Sequence, residues 1–209
     1  SYVGTDYCGW QRQSGSAAEG KPSIQATIEG ALRQMTGEEA TVVGSGRTDA
    51  GVHAVGQVAH FCQRKKEWDA ATLKKGLNSL LPQDIQVLSL LAAPIEFHAQ
   101  HSALKKQYSY YFQQGPCALP HLEPLSWWIR KELDLKGMAK ALDALTGEHD
   151  FKPFQASGAP EGRSTVRKIL EAEVLVEPVR FPGTSPEGVH LVRMRLVGTG
   201  FLKQMVRGI

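Results

Sequence analysis

Two helical patterns separated by strand-prone runs constrain the fold of this chain more than any other feature. Ser23 precedes apolar residues that recur at a helical period, and Gly37 follows them, which predicts a capped helix between these two residues. Asp69 and Pro82 bound a second helix in the same way. Strand-prone runs occupy residues 40–43, 55–61 and 85–91. With one strand at or just before residue 1, the order is β-α-β-β-α-β, the split βαβ arrangement whose helices cover one face of an antiparallel sheet.

The second half of the chain repeats this order of elements. Its expected elements are a strand at 107–112, a helix between Asp134 and Gly147, strands near 166–176 and 189–197, and a helical run at 201–209. The sequence therefore predicts an α+β fold of two ferredoxin-like, RRM-like halves, residues 1–100 and 101–209, with an active-site cleft between them. The first half lacks most of its opening strand and the second lacks a closing strand, so we expect a chain truncated at both ends.

The composition narrows the class of protein. The 209 residues include no apolar run long enough to span a membrane and no secretory signal, so we expect a cytoplasmic protein. Three scattered cysteines without a CxxC pair argue against a disulfide framework and a zinc site, and His98 and His101 have no metal-binding partner at a suitable spacing. The net charge is only +3, yet the basic residues cluster, which suits either a polyanionic partner or solvated faces. The clusters are Arg64-Lys65-Lys66, Lys74-Lys75, Lys105-Lys106, Arg130-Lys131, Arg163, Arg167-Lys168 and Arg193/Arg195.

Residues 44–54, GSGRTDAGVHA, present one arginine and one aspartate on a glycine-rich backbone. Glycines permit tight turns and the close approach of a large ligand, so the functional interpretation is a carboxylate nucleophile or base, Asp49, beside Arg47. A turn in which the aspartate caps its own backbone explains the same pattern. A catalytic triad with Ser45 and His53 is disfavoured because no GxSxG elbow surrounds the serine, and the lysine of a phosphate-binding loop is absent.

Two further segments carry candidate residues. Tyr108 and Tyr110 share one face of a predicted strand directly after Lys105 and Lys106, a combination suited either to stacking on an unpaired base or to filling a sheet core. In the terminal run, the apolar residues occupy one side of the expected helix and leave Lys203 and Arg207 together at i, i+4. An arginine on a helix that otherwise packs inward is a candidate buried partner for a carboxylate.

Several motifs together resemble the TruA-type tRNA pseudouridine synthases. The stretch GRTDAGVHA at 46–54, followed by GQVAHF at 56–61, resembles the active-site motif of that family, and YVGTDYCGWQRQ at 2–13 resembles its opening segment. Further matches in the family's order cover nearly the whole chain. They are NSLLPQDI at 78–85, FHAQHSALKKQYSY at 97–110, GEHDFKPF at 147–154, STVRKI at 164–169 and GFLKQMVRGI at 200–209.

The resemblance implies a role for each matching residue. Asp49 corresponds to the catalytic aspartate, Arg47 to the arginine that displaces and holds the flipped nucleotide, and Tyr108 to the tyrosine that stacks on the target base. Arg207 corresponds to the basic partner of the aspartate and Leu202 to the apolar wall of the pocket. The remaining expected RNA contacts are His53, Lys105 and Lys106.

The resemblance also implies a substrate and a mode of action. The chain is expected to isomerise uridine to pseudouridine in the anticodon arm of tRNA, at positions 38–40, as a homodimer that needs no cofactor and no metal. Gln100, Gln107 and Ser109 stand where arginines are common in the family, so RNA contacts there are expected to be thinner or differently made. A non-catalytic RNA-binding protein on the same fold and a hydrolase that uses Asp49 as nucleophile are the alternatives.

Overall fold

The computed structural model describes residues 1–12, 20–63, 67–156, 162, 164–179 and 188–209. The chain divides into two compact units, Ser1–Ala103 and Leu104–Ile209. Within the described ranges, no helix has both the length and the apolar character that crossing a membrane requires. The basic cluster at 64–66 lies outside these ranges, as do most of the glycine-rich runs at 14–22 and 156–163.

The helices of the first unit form where the sequence predicts them. Helix α1 spans Ile24–Thr36, and the Ser23 hydroxyl accepts the Ala26 N–H at 3.1 Å, which satisfies one of the unpaired amides at a helix start. Gly37 ends this helix in the left-handed region at φ 70°. Helix α2 spans Ala70–Leu80, and the Asp69 carboxylate caps it. Both predictions are confirmed.

The strands of the first unit are shorter than predicted. Strand β1 (Val43–Gly44) pairs antiparallel with β2 (Ala59–His60), and Tyr2 forms single antiparallel bridges to Ala54 and Ile85. The expected strand at 55–61 thus contracts to two residues.

The expected strand at 85–91 contracts to the single bridge at Ile85. The Asn78 side chain explains this contraction, because its Nδ2 donates to the Val87 carbonyl at 2.9 Å and its Oδ1 accepts the Val87 N–H at 2.8 Å. A side-chain amide therefore replaces the ladder partner of that residue.

One apolar core holds the first unit together. Leu73 and Leu77 of α2 are fully buried, as are Ile24 and Leu32 of α1, so the two helices bury their apolar stripes in the same place. The opening segment contributes aromatic side chains to this core instead of a long strand. The remaining buried members are Tyr2, Tyr7, Trp10, Ala31, Val42, Leu81 and Ile85.

The second unit is built on a five-stranded sheet whose strand order is β4-β3-β7-β6-β5. The strands are β3 (Lys106–Gln114), β4 (Trp127–Ile129), β5 (Gly147–Asp150), β6 (Val166–Pro178) and β7 (His190–Gly198), and helix α3 spans Leu135–Leu145. The three long strands and α3 confirm the prediction. Strands β4 and β5 were not expected.

The sheet of the second unit is mixed, because β4 runs parallel to β3 while the other pairs are antiparallel. The prediction of purely antiparallel sheets is therefore wrong here. Parallel neighbours need a crossover of about a dozen residues, and the segment between β3 and β4 supplies it. The fully buried Gln113 side chain holds this crossover by accepting the Leu119 N–H at 2.7 Å and donating to the Ser126 hydroxyl at 3.0 Å.

The terminal helix α4 spans only Met205–Gly208, so the helical run expected at 201–209 is half as long as predicted. The backbone before it bonds to other segments: the Thr199 N–H donates to Lys168 and the Lys203 carbonyl accepts from Ala156. Gln204 then adopts φ 58°, which breaks any helix that enters from residue 203. Lys203 and Arg207 consequently do not share a helix face.

Candidate active site

The glycine-rich loop at 44–54 carries Arg47, Asp49 and His53. Arg47 is exposed and Asp49 is half-buried. A turn follows the aspartate, because the Val52 N–H donates to the Asp49 carbonyl at 3.2 Å and Gly51 takes a positive φ of 77°. The aspartate therefore sits on a defined turn, with the arginine two residues before it on the same loop.

The opening segment of the chain packs directly against this loop. The Trp10 N–H donates to the Thr48 carbonyl at 3.0 Å, and the Tyr2 hydroxyl lies 2.8 Å from the Thr48 hydroxyl. Gly9 permits the close approach: its φ is +107°, and a Cβ there would lie 2.6 Å from the Thr48 carbonyl oxygen. Residues 2–10 thus fix the backbone next to Asp49.

Gln57 fixes the other side of the loop. Its Oε1 accepts the Ser45 hydroxyl at 2.8 Å, and its Nε2 donates to the Gly46 carbonyl at 2.7 Å. The Ser45 hydroxyl is therefore committed to an amide, in keeping with the rejection of a catalytic triad. The predicted set of site residues omitted Gln57, although the residue lies within the quoted GQVAHF motif.

His53 joins the loop to the opening segment. Its Nδ1 accepts the Gly4 N–H at 3.0 Å, so the neutral imidazole carries its proton on Nε2. The Cβ of any larger residue at position 4 would collide with the Val52 carbonyl oxygen. The histidine expected to contact RNA therefore also has a packing partner within the unit.

The second unit brings Tyr108 against an aromatic partner. Tyr108 is half-buried on β3, and its ring meets the Phe201 ring edge-on, with centroids 4.9 Å apart and planes at 76°. Tyr110 and Phe112 lie on the same face and pack on the core of the unit. Lys105 is exposed, whereas burial lowers the pKa of Lys106 below the ordinary lysine value.

The terminal segment places Leu202 and Arg207 in different surroundings. Leu202 is 9% exposed and belongs to the core cluster of the second unit, where its N–H points at the Met205 sulfur at 3.5 Å. Arg207 is exposed on α4. Within the second unit the arginine is thus exposed, and its pairing with a carboxylate stays a prediction.

The basic pair on β7 is engaged by acids on β6. The Arg195 guanidinium bonds both Glu173 and Glu171, and Arg193 lies 3.0 Å from the Glu177 carboxylate. The two glutamates raise the pKa of Arg195 above its already high ordinary value. Because its charges are neutralised across the strands, this cluster fits the interpretation of a solvated face better than that of a polyanion contact.

Three histidines of the first unit lie side by side with tilted rings. The ring centroids of His60 and His98 are 4.8 Å apart, and those of His98 and His101 are 4.3 Å apart. In the described part of the chain, no group of three or more His, Cys, Asp or Glu residues has an arrangement that could hold a metal ion.

A comparison with known proteins assigns the family. The model of a family described as tRNA pseudouridine synthase matches residues 1–102 and 141–209. The chain belongs to the tRNA pseudouridine synthase family. The match leaves out residues 103–140, the segment in which Tyr108, Lys105 and Lys106 lie.

Curated relatives agree with this assignment over the full chain. The protein named tRNA pseudouridine synthase A of Syntrophotalea carbinolica is 38% identical over 206 residues, which cover 99% of this chain and 75% of the relative. Its namesake in Chlamydia muridarum is 39% identical over all of this chain and 73% of its own length. The Ruminiclostridium cellulolyticum protein of the same name is 39% identical over 99% of this chain and 77% of its own. Members of the pseudouridine synthase family are isomerases, so the chain is placed among enzymes and not among passive RNA-binding proteins.

Proposed function

We propose that this protein isomerises uridine to pseudouridine in tRNA and that Asp49 is its catalytic residue. The supporting observation is the construction of the loop at 44–54, where Trp10 donates to the Thr48 carbonyl and Gln57 donates to the Gly46 carbonyl. These bonds fix the backbone that leads into the half-buried Asp49. A turn aspartate that only capped its own backbone would not need such support. Family membership supplies the reaction to which this rigid carboxylate belongs.

The reaction suits a carboxylate and needs no redox step. The N1–C1′ glycosidic bond breaks, the detached uracil turns, a C5–C1′ bond forms, and the proton lost from C5 is balanced by a proton gained at N1. The Asp49 carboxylate either attacks C1′ as a nucleophile or removes the C2′ proton to give a glycal. Deuterium at C2′ separates the two routes, since only proton removal gives a primary isotope effect on the single-turnover rate.

The other candidate residues take supporting roles in this proposal. Exposed Arg47 fills the space left by the flipped nucleotide, which offsets part of the few kcal/mol that unstacking costs. Tyr108 stacks on the uracil while the uracil turns, and Phe201 holds the Tyr108 ring by edge-on contact. Arg207 supplies a positive charge to the reaction, and Leu202 supplies an apolar wall. Lys105, Lys106 and His53 contact the RNA.

We extend the proposal to the substrate and the assembly. The substrate is the anticodon arm of tRNA, and the active form is a homodimer. Both units are versions of the split βαβ arrangement. Antiparallel bridges from Tyr2 to Ala54 and Ile85 support this assignment in the first unit, and the β3-β7-β6 order supports it in the second.

Chemical mapping of pseudouridine in a tRNA transcript tests the proposal. The wild-type protein should form pseudouridine in the anticodon arm, while Asp49→Ala and the isosteric Asp49→Asn should form none and still bind tRNA. Asp143→Asn, which changes an exposed aspartate on α3, serves as the matched control and should retain full activity.

Three results would contradict the proposal. Pseudouridine formation by Asp49→Asn at the wild-type rate would remove the aspartate from the chemistry. Tight tRNA binding without any product from the wild-type protein would indicate a non-catalytic RNA-binding protein. Release of free uracil would indicate a hydrolase.

A further inference from the structure

A hydrogen-bonded clamp surrounds the three residues Arg47, Thr48 and Asp49. On one side, Gln57 receives the Ser45 hydroxyl and donates to the Gly46 carbonyl at 2.7 Å. On the other, the Tyr2 hydroxyl lies 2.8 Å from the Thr48 hydroxyl. The Gln57 Nε2 also reaches the Tyr2 hydroxyl at 3.5 Å, which closes the clamp.

Both clamp residues are themselves fixed. Tyr2 is 5% exposed, and its backbone N–H and carbonyl both bond to Ala54 at 2.8 and 3.0 Å. Burial raises the pKa of its phenol, so the hydroxyl stays protonated and available for hydrogen bonding at neutral pH. Gln57 lies two residues before β2, whose pairing with β1 holds both ends of the loop. The clamp therefore transmits the rigidity of the first unit to the loop.

We propose that Gln57 and the Tyr2 hydroxyl are positioning residues that set the direction in which Arg47 and Asp49 point. This inference rests on the proposed function, because it assigns a kinetic consequence to the geometry. This role requires no contact between either residue and the substrate. Their contribution comes from holding the Gly46 carbonyl and the Thr48 side chain, so that the aspartate meets the nucleotide sugar in one orientation. Displacing a reacting group by about 1 Å can cost on the order of a hundredfold in rate.

Gln57→Glu is the sharpest perturbation of this clamp. The substitution keeps the volume and the acceptor for the Ser45 hydroxyl, but it replaces the donor to the Gly46 carbonyl by a carboxylate oxygen that repels it. Tyr2→Phe removes only the hydroxyl that meets Thr48. The matched control is Tyr7→Phe, since Tyr7 is equally buried in the same segment but its hydroxyl donates to the Asp84 carboxylate at 2.7 Å.

The assay measures single-turnover pseudouridine formation, the Kd for tRNA and the urea midpoint of each variant. We expect Gln57→Glu to lower the rate at least tenfold and Tyr2→Phe to lower it several-fold, with the Kd changed by less than about twofold. Tyr7→Phe should lower the urea midpoint as much as Tyr2→Phe and leave the rate unchanged. The rate of Gln57→Glu relative to wild type should rise as the pH falls from 6 toward 4, because glutamate ordinarily protonates near about 4.3 and a protonated carboxyl again donates to the Gly46 carbonyl.

The outcomes separate this inference from the proposed function. Wild-type rates in both Gln57→Glu and Tyr2→Phe, beside an active wild-type protein, would overturn the positioning role alone. A rate loss in Tyr7→Phe equal to that of Tyr2→Phe would also overturn it, since it would reflect general destabilisation. An inactive wild-type protein would overturn the proposed function and this inference with it.

Discussion

Gly9 is the position where a single methyl group should report on the contact between the opening segment and the loop. Its φ of +107° is one that residues with a side chain rarely adopt. A Cβ there would lie 2.6 Å from the Thr48 carbonyl oxygen and 3.1 Å from the Asp49 carbonyl carbon. Ordinary C···O contacts begin near about 3.3 Å, so the loop backbone must retreat by roughly 0.7 Å to admit alanine. Both atoms are backbone, which leaves no flexible side chain to move aside.

The size of the effect follows from two contributions. A non-glycine residue at positive φ costs about 1–3 kcal/mol, and forcing extra volume into a packed site adds about 1–3 kcal/mol. Gly9→Ala should therefore lower the free energy of unfolding by roughly 2–6 kcal/mol. Gly37→Ala is the matched control, because Gly37 also has a positive φ of 70° but has nothing within 4 Å of its Cβ position. That variant should lose only about 1–2 kcal/mol.

Urea unfolding followed by circular dichroism, together with single-turnover pseudouridine formation, tests both parts of the prediction. At an unchanged m-value, the midpoint of Gly9→Ala should fall further than that of Gly37→Ala. The rate of Gly9→Ala should fall at least tenfold under conditions where it remains folded, whereas Gly37→Ala should keep the wild-type rate. Equal losses of stability would refute the close approach. A destabilised Gly9→Ala with the wild-type rate would refute the link between loop position and catalysis.

Two further predictions concern the first unit. Ser23→Ala should lower the free energy of unfolding by about 1 kcal/mol, because the Ala26 N–H loses its hydrogen-bond acceptor. Ser23→Gly should lower it by only about a few tenths of a kcal/mol. Equal losses for the two variants in urea unfolding would argue against capping. The pKa of His98 is lowered by burial and then by the charges of His101 and His60. As the pH falls, the unfolded chain therefore binds a proton at this histidine before the folded chain does. The folded protein loses stability as the pH falls below the ordinary histidine value of about 6.5. The protection factors of the Gln100 and His101 amides, whose N–H groups His98 accepts, should fall between pH 7 and 5 after correction for intrinsic exchange, and unchanged protection factors would contradict this.

The helices were predictable because their signals are local. Ser23, Asp69 and Asp134 each accept an amide two or three positions into the helix that follows, and the apolar stripe then repeats at a fixed period. Strand extents were less predictable, because pairing depends on distant partners. Nothing near Val87 indicates that Asn78 would occupy its hydrogen-bonding groups.

The site shows the same division between local and distant information. The GRTDAG stretch is local, so its aspartate and arginine stand out as candidates in the sequence alone, and their roles stay predictions. Tyr2, Gly9 and Gln57 do not stand out, because their roles arise from contacts with residues 45–48 that no spacing along the chain encodes. The exposure of Arg207 was missed for a related reason: the predicted helix depended on an apolar period that the backbone at Gln204 interrupts.

The glycines of the first unit act through close packing more than through flexibility. A Cβ at Gly44 would lie 2.5 Å from the Trp10 ring, one at Gly9 would press on the Thr48 carbonyl, and one at Gly4 would meet the Val52 carbonyl. Each contact joins the opening segment to the loop at 44–54. The opening segment and the loop are therefore packed tightly together. Enlarging a glycine in either of them should displace Asp49 as much as a substitution within the loop itself. In the proposed reaction the Asp49 carboxylate meets a sugar in one orientation, and close packing of this kind restricts the loop to that orientation.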